Sequence, residues 1–215
     1  MGAGPAKIPV RLSDLNTYAR IRNAALAAFA ESGVAATSIR DVAASAGVSP
    51  GLVQHHFSTK AGLREAVDGY VIELAVETFQ DLVREGEDME VWRAMGDTTT
   101  AWVRDNAIAV RYVARALTEG DRGALPIFDA LVEVAQRQWL EPLAREGKLE
   151  PNVDREWAAL HVIVFNLASV LLEPALSHRL PAPFFTPEQL ARWNTATTEL
   201  YRRGLTQAAS AKPRA

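Results

Sequence analysis

Apolar residues recur every three to four positions along most of the chain, a spacing that places them on one face of an α-helix. Segments with this pattern are 17–33, 38–47, 49–57, 59–86, 91–105, 107–117, 126–146, 154–180 and 187–207. The sequence contains no alternating pattern typical of a β-strand and no internal repeat. It therefore predicts an all-α fold of about nine helices.

The stretch 38–57 has the pattern of two short helices joined by a tight turn. Ser38, with a carboxylate three residues later, predicts a capping box at the start of the first helix. Gly47 stands where that helix would end in a left-handed conformation. Ser49 followed by Pro50 predicts the start of the second helix, because a proline in the first helical position loses no hydrogen bond.

The second of these helices would present a small, mixed polar surface to solvent. Val53 and Phe57 are the apolar anchors expected to face inward, and Val48 is expected to be buried in the turn. The residues left on the outer side are Pro50, Gly51, Leu52, Gln54, His55 and His56. A short helix with such a surface fits the major groove of DNA.

Three stretches, AALAAFAESG, ATSIRDVAASAGVS and PGLVQHHFSTKAGL, follow one another between about Thr17 and Tyr70. In order and spacing they resemble the TetR family of transcriptional regulators. The resemblance implies a homodimer whose two N-terminal heads enter successive major grooves of a palindromic operator in double-stranded DNA. It also implies an all-helical C-terminal body that binds a small-molecule effector and dimerises through its last two long helices.

Carried over residue by residue, the resemblance implies two groups of DNA contacts. Residues expected at phosphates or bases at the starts of helices are Thr37, Ser38, Arg40 and Lys60. Residues expected at base edges or the DNA backbone are Ser49, Pro50, Gly51, Leu52, Gln54, His55 and His56. The family usually has Tyr in the place of Gln54. Because Gln can read adenine with two hydrogen bonds, this departure predicts different operator contacts.

The resemblance also divides the chain into parts. They are a flexible arm at 1–16, a helix-turn-helix DNA-binding domain at 17–62, a helical ligand-binding and dimerisation domain at 63–208, and a disordered tail at 209–215. The long helix 59–86 would join head to body and act as the lever between them. Residues 1–60 carry six Lys and Arg against three Asp and Glu, although the net charge of the chain is −3. A mildly basic head is consistent with a local DNA contact.

Aromatic and polar side chains of the body are candidates for an effector pocket. They are Trp102, Tyr112, Phe128, Trp139, His161, Phe165 and Asn166, and each could instead be an ordinary core residue. His161 and Asn166 are the most suggestive, because both lie in a nearly continuous apolar helix and a buried polar group needs a partner. That partner could be a ligand or the second copy of a dimer.

The last two long helices would form a four-helix bundle with their copies in a dimer. Small and apolar residues that suit such packing are Ala158, Ala159, Val162, Ala168, Leu171 and Leu172. The alternative is that these residues pack within one chain.

Two short motifs admit a catalytic or metal-binding interpretation. The GVSPG stretch that begins at Gly47 matches the G-x-S-x-G nucleophile elbow, but that motif needs a preceding strand and the residues before it have a helical period. His55 and His56 are adjacent on a helix and point about 100° apart, so they would chelate a metal poorly. The chain has no cysteine, which excludes thiolate chemistry. We therefore predict no catalytic residue, no metal and no cofactor.

The leading hypothesis is a small-molecule-responsive repressor. The alternative is a helical small-molecule-binding or protein-interaction module whose DNA binding is secondary, and activation instead of repression stays open. No apolar run approaches the roughly 18 residues of a membrane span, and the N-terminus lacks the apolar core of a signal peptide. These features predict a cytoplasmic protein without membrane contact.

Overall fold

The computed structural model describes residues 17–80, 88–120 and 122–206. The predicted arm, the predicted tail and the end of predicted helix 59–86 lie outside these residues. The helices are α1 (Thr17–Ser32), α2 (Ile39–Ala46), α3 (Pro50–Phe57), α4 (Lys60–Gln80), α5 (Asp88–Asp105), α6 (Ala107–Thr118), α7 (Leu125–Ala135), α8 (Glu141–Arg145), α9 (Arg155–Leu171), α10 (Glu173–Arg179) and α11 (Pro187–Leu205). Within the described ranges no strand forms, and the only β-pairing is an isolated bridge between Leu149 and Thr206. The all-α prediction is confirmed.

Two predicted helices are each divided in the structure, so there are more helical segments than the sequence predicted. A π-helical turn, Gln136–Leu140, separates α7 from α8. The predicted helix 154–180 breaks at Leu172, where α9 and α10 differ in direction by 72°. Pro174 lies in the first turn of α10, where its missing N–H leaves no hydrogen bond unmade. It therefore begins a new helix and does not kink a continuous one.

The same bend bears on membrane insertion. No single helix among residues 17–80, 88–120 and 122–206 is both long and apolar enough to cross a membrane. Helices α9 and α10 together satisfy length and composition, but they are bent.

The chain divides into two compact units, Met1–Gly69 and Tyr70–Ala215. The division falls inside α4, later than the predicted boundary after residue 62. The first unit is built on apolar side chains of α1 to α4 that lose nearly all contact with solvent. These are Ile21, Ala25, Leu26, Phe29, Ala30, Val42, Ala43, Val53, Phe57, Leu63 and Val67. Helix α2 packs against α1, and α3 packs against α2, so these short helices are held by tertiary contacts rather than by their own length.

The second unit has a core between α5, the π-helical turn, α8, α9 and α11. Its buried members are Trp92, Met95, Ala135, Trp139, Leu140, Leu143, Leu149, Ala158, Ala159, Val162, Tyr201 and Leu205. Ala158, Ala159 and Val162 therefore pack within the chain, which is the alternative that the sequence left open for them. Leu171 and Leu172 are exposed.

Helices α5 and α11 lie close together at Gly96. A Cβ atom added at Gly96 would collide with the side-chain oxygens of Asn194 and Thr198. Those two side chains are already engaged, because Asn194 Nδ2 donates to Asp97 Oδ1 at 2.6 Å and Thr198 Oγ1 donates to Asn194 Oδ1 at 3.0 Å. The crossing therefore requires a residue without a side chain.

Replacing Gly96 by alanine tests this crossing. We expect Gly96→Ala to lower the free energy of unfolding by about 1–3 kcal/mol, because the new methyl group displaces hydrogen-bonded side chains. Gly69→Ala is the matched control, since its Cβ would meet nothing within 4 Å among the described residues. That change should raise the free energy of unfolding by about 0.5–1 kcal/mol through helix propensity alone. Urea unfolding followed by circular dichroism measures both, and equal stabilities would contradict the close approach.

Candidate nucleic-acid interface

Helix α2 begins with the predicted capping box. Asp41 N donates to Ser38 Oγ at 3.2 Å, and Ser38 N donates to Asp41 Oδ2 at 2.9 Å. The Ser38 hydroxyl also donates to Asp41 Oδ2 at 2.6 Å. Hydrogen bonds from this hydroxyl and from the Ser38 backbone N–H hold the pKa of Asp41 below its ordinary value. Both donors of Ser38 are thus used inside the chain, which leaves none for the phosphate contact that the resemblance implied.

Thr37 departs further from expectation. Its residue is only 4% exposed, and its hydroxyl donates to the carbonyl of Gly33 at 2.8 Å. A buried hydroxyl with this partner is not presented to solvent, and contact of the Thr37 side chain with a phosphate stays a prediction. The hydroxyl fixes the loop between α1 and α2.

The turn between α2 and α3 follows the local sequence signals. Gly47 is left-handed with φ of 64°, and the N–H of Val48 donates to the carbonyl of Ala43 at 3.0 Å. Ser49 Oγ accepts a hydrogen bond from the N–H of Leu52 at 3.2 Å, with Pro50 as the first helical residue. Val48 itself is half-buried, so it is less enclosed than predicted.

Two side chains fix how α3 is rotated about its axis. Val53 is completely buried and Phe57 nearly so, which turns one side of this helix into the core. The residues exposed on the other side are Pro50, Gly51, Leu52, Gln54, His55 and His56, which we call the α3 outer surface. Their predicted exposure is confirmed, and their contact with DNA stays a prediction.

Tyr18 of α1 contributes to this surface, although the sequence analysis missed it. Its ring lies 4.5 Å from that of Phe57 and 6.2 Å, edge to face, from that of His56. The ring of His56 is therefore in contact with a side chain of a second helix, α1. The helical spacing from Tyr18 to the buried Ile21 and Ala25 was the signal that could have found it.

The two cations that the resemblance assigned to phosphates, Arg40 and Lys60, lie in the same unit. Arg40 is exposed and makes no hydrogen bond or ion pair with any residue that the structure describes. Lys60 Nζ donates to the carbonyl of Ala35 at 3.1 Å, which leaves two of its three N–H donors for a phosphate. Thr59 caps α4 by accepting from the N–H of Gly62 at 3.0 Å, and this cap fixes the backbone next to Lys60.

The predicted effector residues separate into two groups in the second unit. Trp102, Trp139 and Asn166 line one cavity of about 40 Å³, formed by α4, α5, α6, α7, the π-helical turn and α9. The other four candidates do not line it: Tyr112 is fully buried in the core, Phe128 is half-buried, and His161 and Phe165 are exposed.

The division on α9 has a simple geometric reason. Val162 and Asn166 face the cavity, whereas His161 and Phe165 each precede one of them by one residue. A step of one residue turns a helix by about 100°, which carries those two side chains to the solvent side. Their rings contact other aromatic rings, His161 that of Trp157 at 5.5 Å and Phe165 that of Tyr201 at 6.4 Å.

Two protein-family models together match most of the described residues of the chain. Residues 21–67 match the family "Bacterial regulatory proteins, tetR family", and residues 105–207 match "Tetracyclin repressor-like, C-terminal domain". The chain belongs to the TetR family. The first match contains α2, α3 and the turn between them, and the second contains α6 to α11.

Known proteins of the TetR family resemble the chain in sequence and in fold. The HTH-type transcriptional regulatory protein RaaS of Mycobacterium tuberculosis is 31% identical over 145 residues, which are 67% of this chain and 65% of RaaS. A bacterial regulatory protein in the tetR family from Rhodococcus RHA1 is 25% identical with a TM-score of 0.68, covering 91% of this chain and 100% of that one. All of these relatives are named as regulators.

A third relative shares the fold alone. The ketosteroid transcriptional regulator KstR2 of Mycobacterium tuberculosis is 20% identical with a TM-score of 0.62, and the similarity covers 90% of this chain and 96% of KstR2.

The position of Thr37 in this TetR-family chain gives a prediction that separates folding from DNA binding. Thr37→Val should lower the free energy of unfolding by about 1 kcal/mol, because the carbonyl of Gly33 loses its donor. DNA affinity of the folded protein should not change. Thr37→Ser, which keeps the hydroxyl, should retain the hydrogen bond. Chemical denaturation and fluorescence anisotropy measure the two quantities, and weaker DNA binding by folded Thr37→Val would support the phosphate role.

Proposed function

We propose that this chain is a small-molecule-responsive transcriptional repressor that binds a palindromic DNA operator as a homodimer. The observation that carries the proposal is the α3 outer surface. Its helix is capped by Ser49 and anchored by Val53 and Phe57, while its outward side chains are exposed. Sequence reading requires side chains that are free to bond bases but mounted on a backbone that does not move. The proposal includes a cytoplasmic location, where operator DNA would be reached.

The exposed groups divide into two kinds of DNA contact. Arg40 and Lys60 are cations suited to phosphates, and phosphate contacts give affinity that falls with salt but does not depend on sequence. Gln54, His55 and His56 carry hydrogen-bonding groups suited to base edges. The supporting contact of Tyr18 with His56 restricts one of these rings before DNA is bound.

Selection from random duplex DNA at near-physiological salt is the primary test. We expect enrichment of a palindrome whose half-sites are about one helical turn apart. On the enriched duplex, Arg40→Ala should weaken all sequences alike and reduce the slope of log affinity against log salt by about 2, because each dimer loses two phosphate contacts. Gln54→Ala should instead cost about 1–3 kcal/mol at one base position and relax selectivity there.

Arg111→Ala is the matched control for Arg40→Ala, because Arg111 is an exposed arginine of α6 in the second unit. It should leave both affinity and salt slope unchanged. A stable protein that enriches no sequence, before and after refolding to strip bound ligand, would favour the helical binding-module alternative.

The homodimer in this proposal is supported by an exposed apolar face on α9 and α11. Its members are Trp157, Val164, Phe165, Leu171, Leu172 and Leu200, each more than a third exposed. The members on α9, together with Leu172 directly after it, recur at intervals of seven or eight residues. They therefore form one stripe along the helix. The edge contact between the rings of Phe165 and Tyr201 joins the two helices. Contiguous exposed apolar patches of this kind mark protein interfaces.

A charge in this stripe tests the dimer. Val164→Glu should convert the dimer to monomers, because an unpaired carboxylate would be buried at the interface. Ile108→Glu is the control, because Ile108 on α6 and Val164 on α9 are both 52% exposed. Sedimentation equilibrium of the two variants gives the mass directly, and an unchanged mass for Val164→Glu would place the interface elsewhere. Loss of the dimer should also weaken operator binding by orders of magnitude.

An effector bound in the second unit would regulate DNA binding only through a difference in affinity for two conformations. It lowers operator affinity if it binds the non-binding conformation more tightly, and it has no effect if it binds both equally.

A further inference from the structure

Two buried polar atoms in the cavity of the second unit lack hydrogen-bond partners among the described residues. They are the indole Nε1 of Trp102 and the amide Oδ1 of Asn166, in residues only 7% and 8% exposed. The other polar atom of Asn166 is satisfied, since Nδ2 donates to the carbonyl of Val162 at 2.6 Å. An indole N–H can only donate and an amide oxygen can only accept, so the two unpaired atoms are one donor and one acceptor.

The rest of the lining is apolar and carries no charge. Thr99 and Trp139 are the other lining residues with a polar side-chain atom, and the hydroxyl of Thr99 donates to the carbonyl of Met95 at 2.9 Å. A charged ligand would lose its hydration here without gaining a counter-charge, which costs several kcal/mol. Aromatic rings form part of the wall, with Phe79 and Trp102 6.1 Å apart. The site therefore selects for uncharged, largely apolar molecules.

We propose that the effector of this protein is an uncharged molecule that combines an apolar ring with a hydroxyl group. The hydroxyl would donate to Asn166 Oδ1 and accept from Trp102 Nε1, because a hydroxyl is both a donor and an acceptor. The inference rests on the proposed function, of which it names the ligand class. A ligand that satisfies both atoms removes the free-energy cost of leaving them unpaired.

The size of the cavity identifies the side chain that must move. A volume of about 40 Å³ is small for a ring, since an apolar cavity that binds benzene measures about 150 Å³. A second cavity of about 20 Å³ adjoins it, and both are lined by Trp139 and Thr99. Trp139 thus stands in the wall common to the two cavities, and its displacement joins them.

Trp139 is also carried by an unusual piece of backbone. It lies in the π-helical turn Gln136–Leu140, and such turns inside helices recur at functional sites. The second cavity contains two more buried polar atoms without described partners, Thr100 Oγ1 and Trp193 Nε1. The joined cavity would therefore offer further hydrogen bonds to a ligand longer than a single ring.

Four single-ring probes of similar size test the ligand class on the full-length protein: phenol, toluene, benzoate and benzylammonium. Binding is measured by thermal shift and by titration of tryptophan fluorescence. Phenol should bind at least about tenfold more tightly than toluene, because only phenol pairs with the two polar atoms. Benzoate and benzylammonium should not bind. Equal affinities for phenol and toluene, or binding of benzoate as tight as that of phenol, would overturn the proposal.

A variant and a direct spectroscopic measurement identify the atoms. Asn166→Leu should remove the preference for phenol over toluene, whereas Asn152→Leu, at an exposed turn position, should keep it. If Asn166→Leu does not fold, the NMR resonances of the indole N–H groups in the wild-type protein still test the contact. The resonance of Trp102 is assigned by its loss in Trp102→Phe. The Trp102 resonance should move downfield with phenol and not with toluene, and an unmoved resonance in phenol-saturated protein would refute the contact.

These measurements need no DNA, so their outcome does not depend on whether the protein binds an operator. Palindrome binding without the phenol preference would refute the ligand class alone. The phenol preference in a protein that binds no operator would refute the repressor and leave the cavity chemistry in place.

Discussion

The burial of Val53 and Phe57 is the constraint on which the DNA-facing part of this protein depends. Helix α3 has eight residues, too few for a helix to be stable alone in water. It exists because one side is packed into the first unit and its ends are capped. The same burial determines which side chains face outward. Recognition residues can therefore change without loss of the fold, provided that the two anchors remain.

Helix α9 of the second unit also presents different residues on its two sides. Its inner side gives Val162 and Asn166 to the cavity, and its outer side gives Val164 and Phe165 to the exposed apolar face. Cavity and face are thus separated by the thickness of one helix. In the proposed dimer, a rotation of α9 that accommodates a ligand would also alter the surface presented to the partner. One helix would carry both signals.

The features that the sequence predicted best are those that depend on residues close together in the chain. The capping box at Ser38, the left-handed Gly47 and the start of α3 at Pro50 all follow from backbone hydrogen bonding within a few positions. The predicted exposure along α3 then followed from the two anchors. The predicted start of a helix at residue 187 was also correct, with Pro187 in the first turn of α11. The preceding Thr186 does not cap this helix with its side chain, because its hydroxyl donates to the carbonyl of Pro183.

Side-chain direction was harder to predict wherever the local pattern gave no polar face. Most of α9 is apolar on all sides, so periodicity could not show that Asn166 faces inward and His161 outward. The burial of Thr37 was not predicted because its carbonyl partner on Gly33 depends on how the loop folds. Segment 154–180 was predicted as one helix although it breaks at Leu172, since a proline in sequence does not distinguish a bent helix from the start of another.

The crossing at Gly96 has a mechanical consequence. Helix α5 carries Trp102 in the cavity wall, and α11 carries Leu200 in the exposed apolar face. At Gly96 itself α5 has no side chain that could rotate to absorb a displacement, and the facing Asn194 is held by Asp97 of α5. We therefore expect the two helices to move together at this point, so that a shift of the cavity wall on α5 also shifts the face carried by α11.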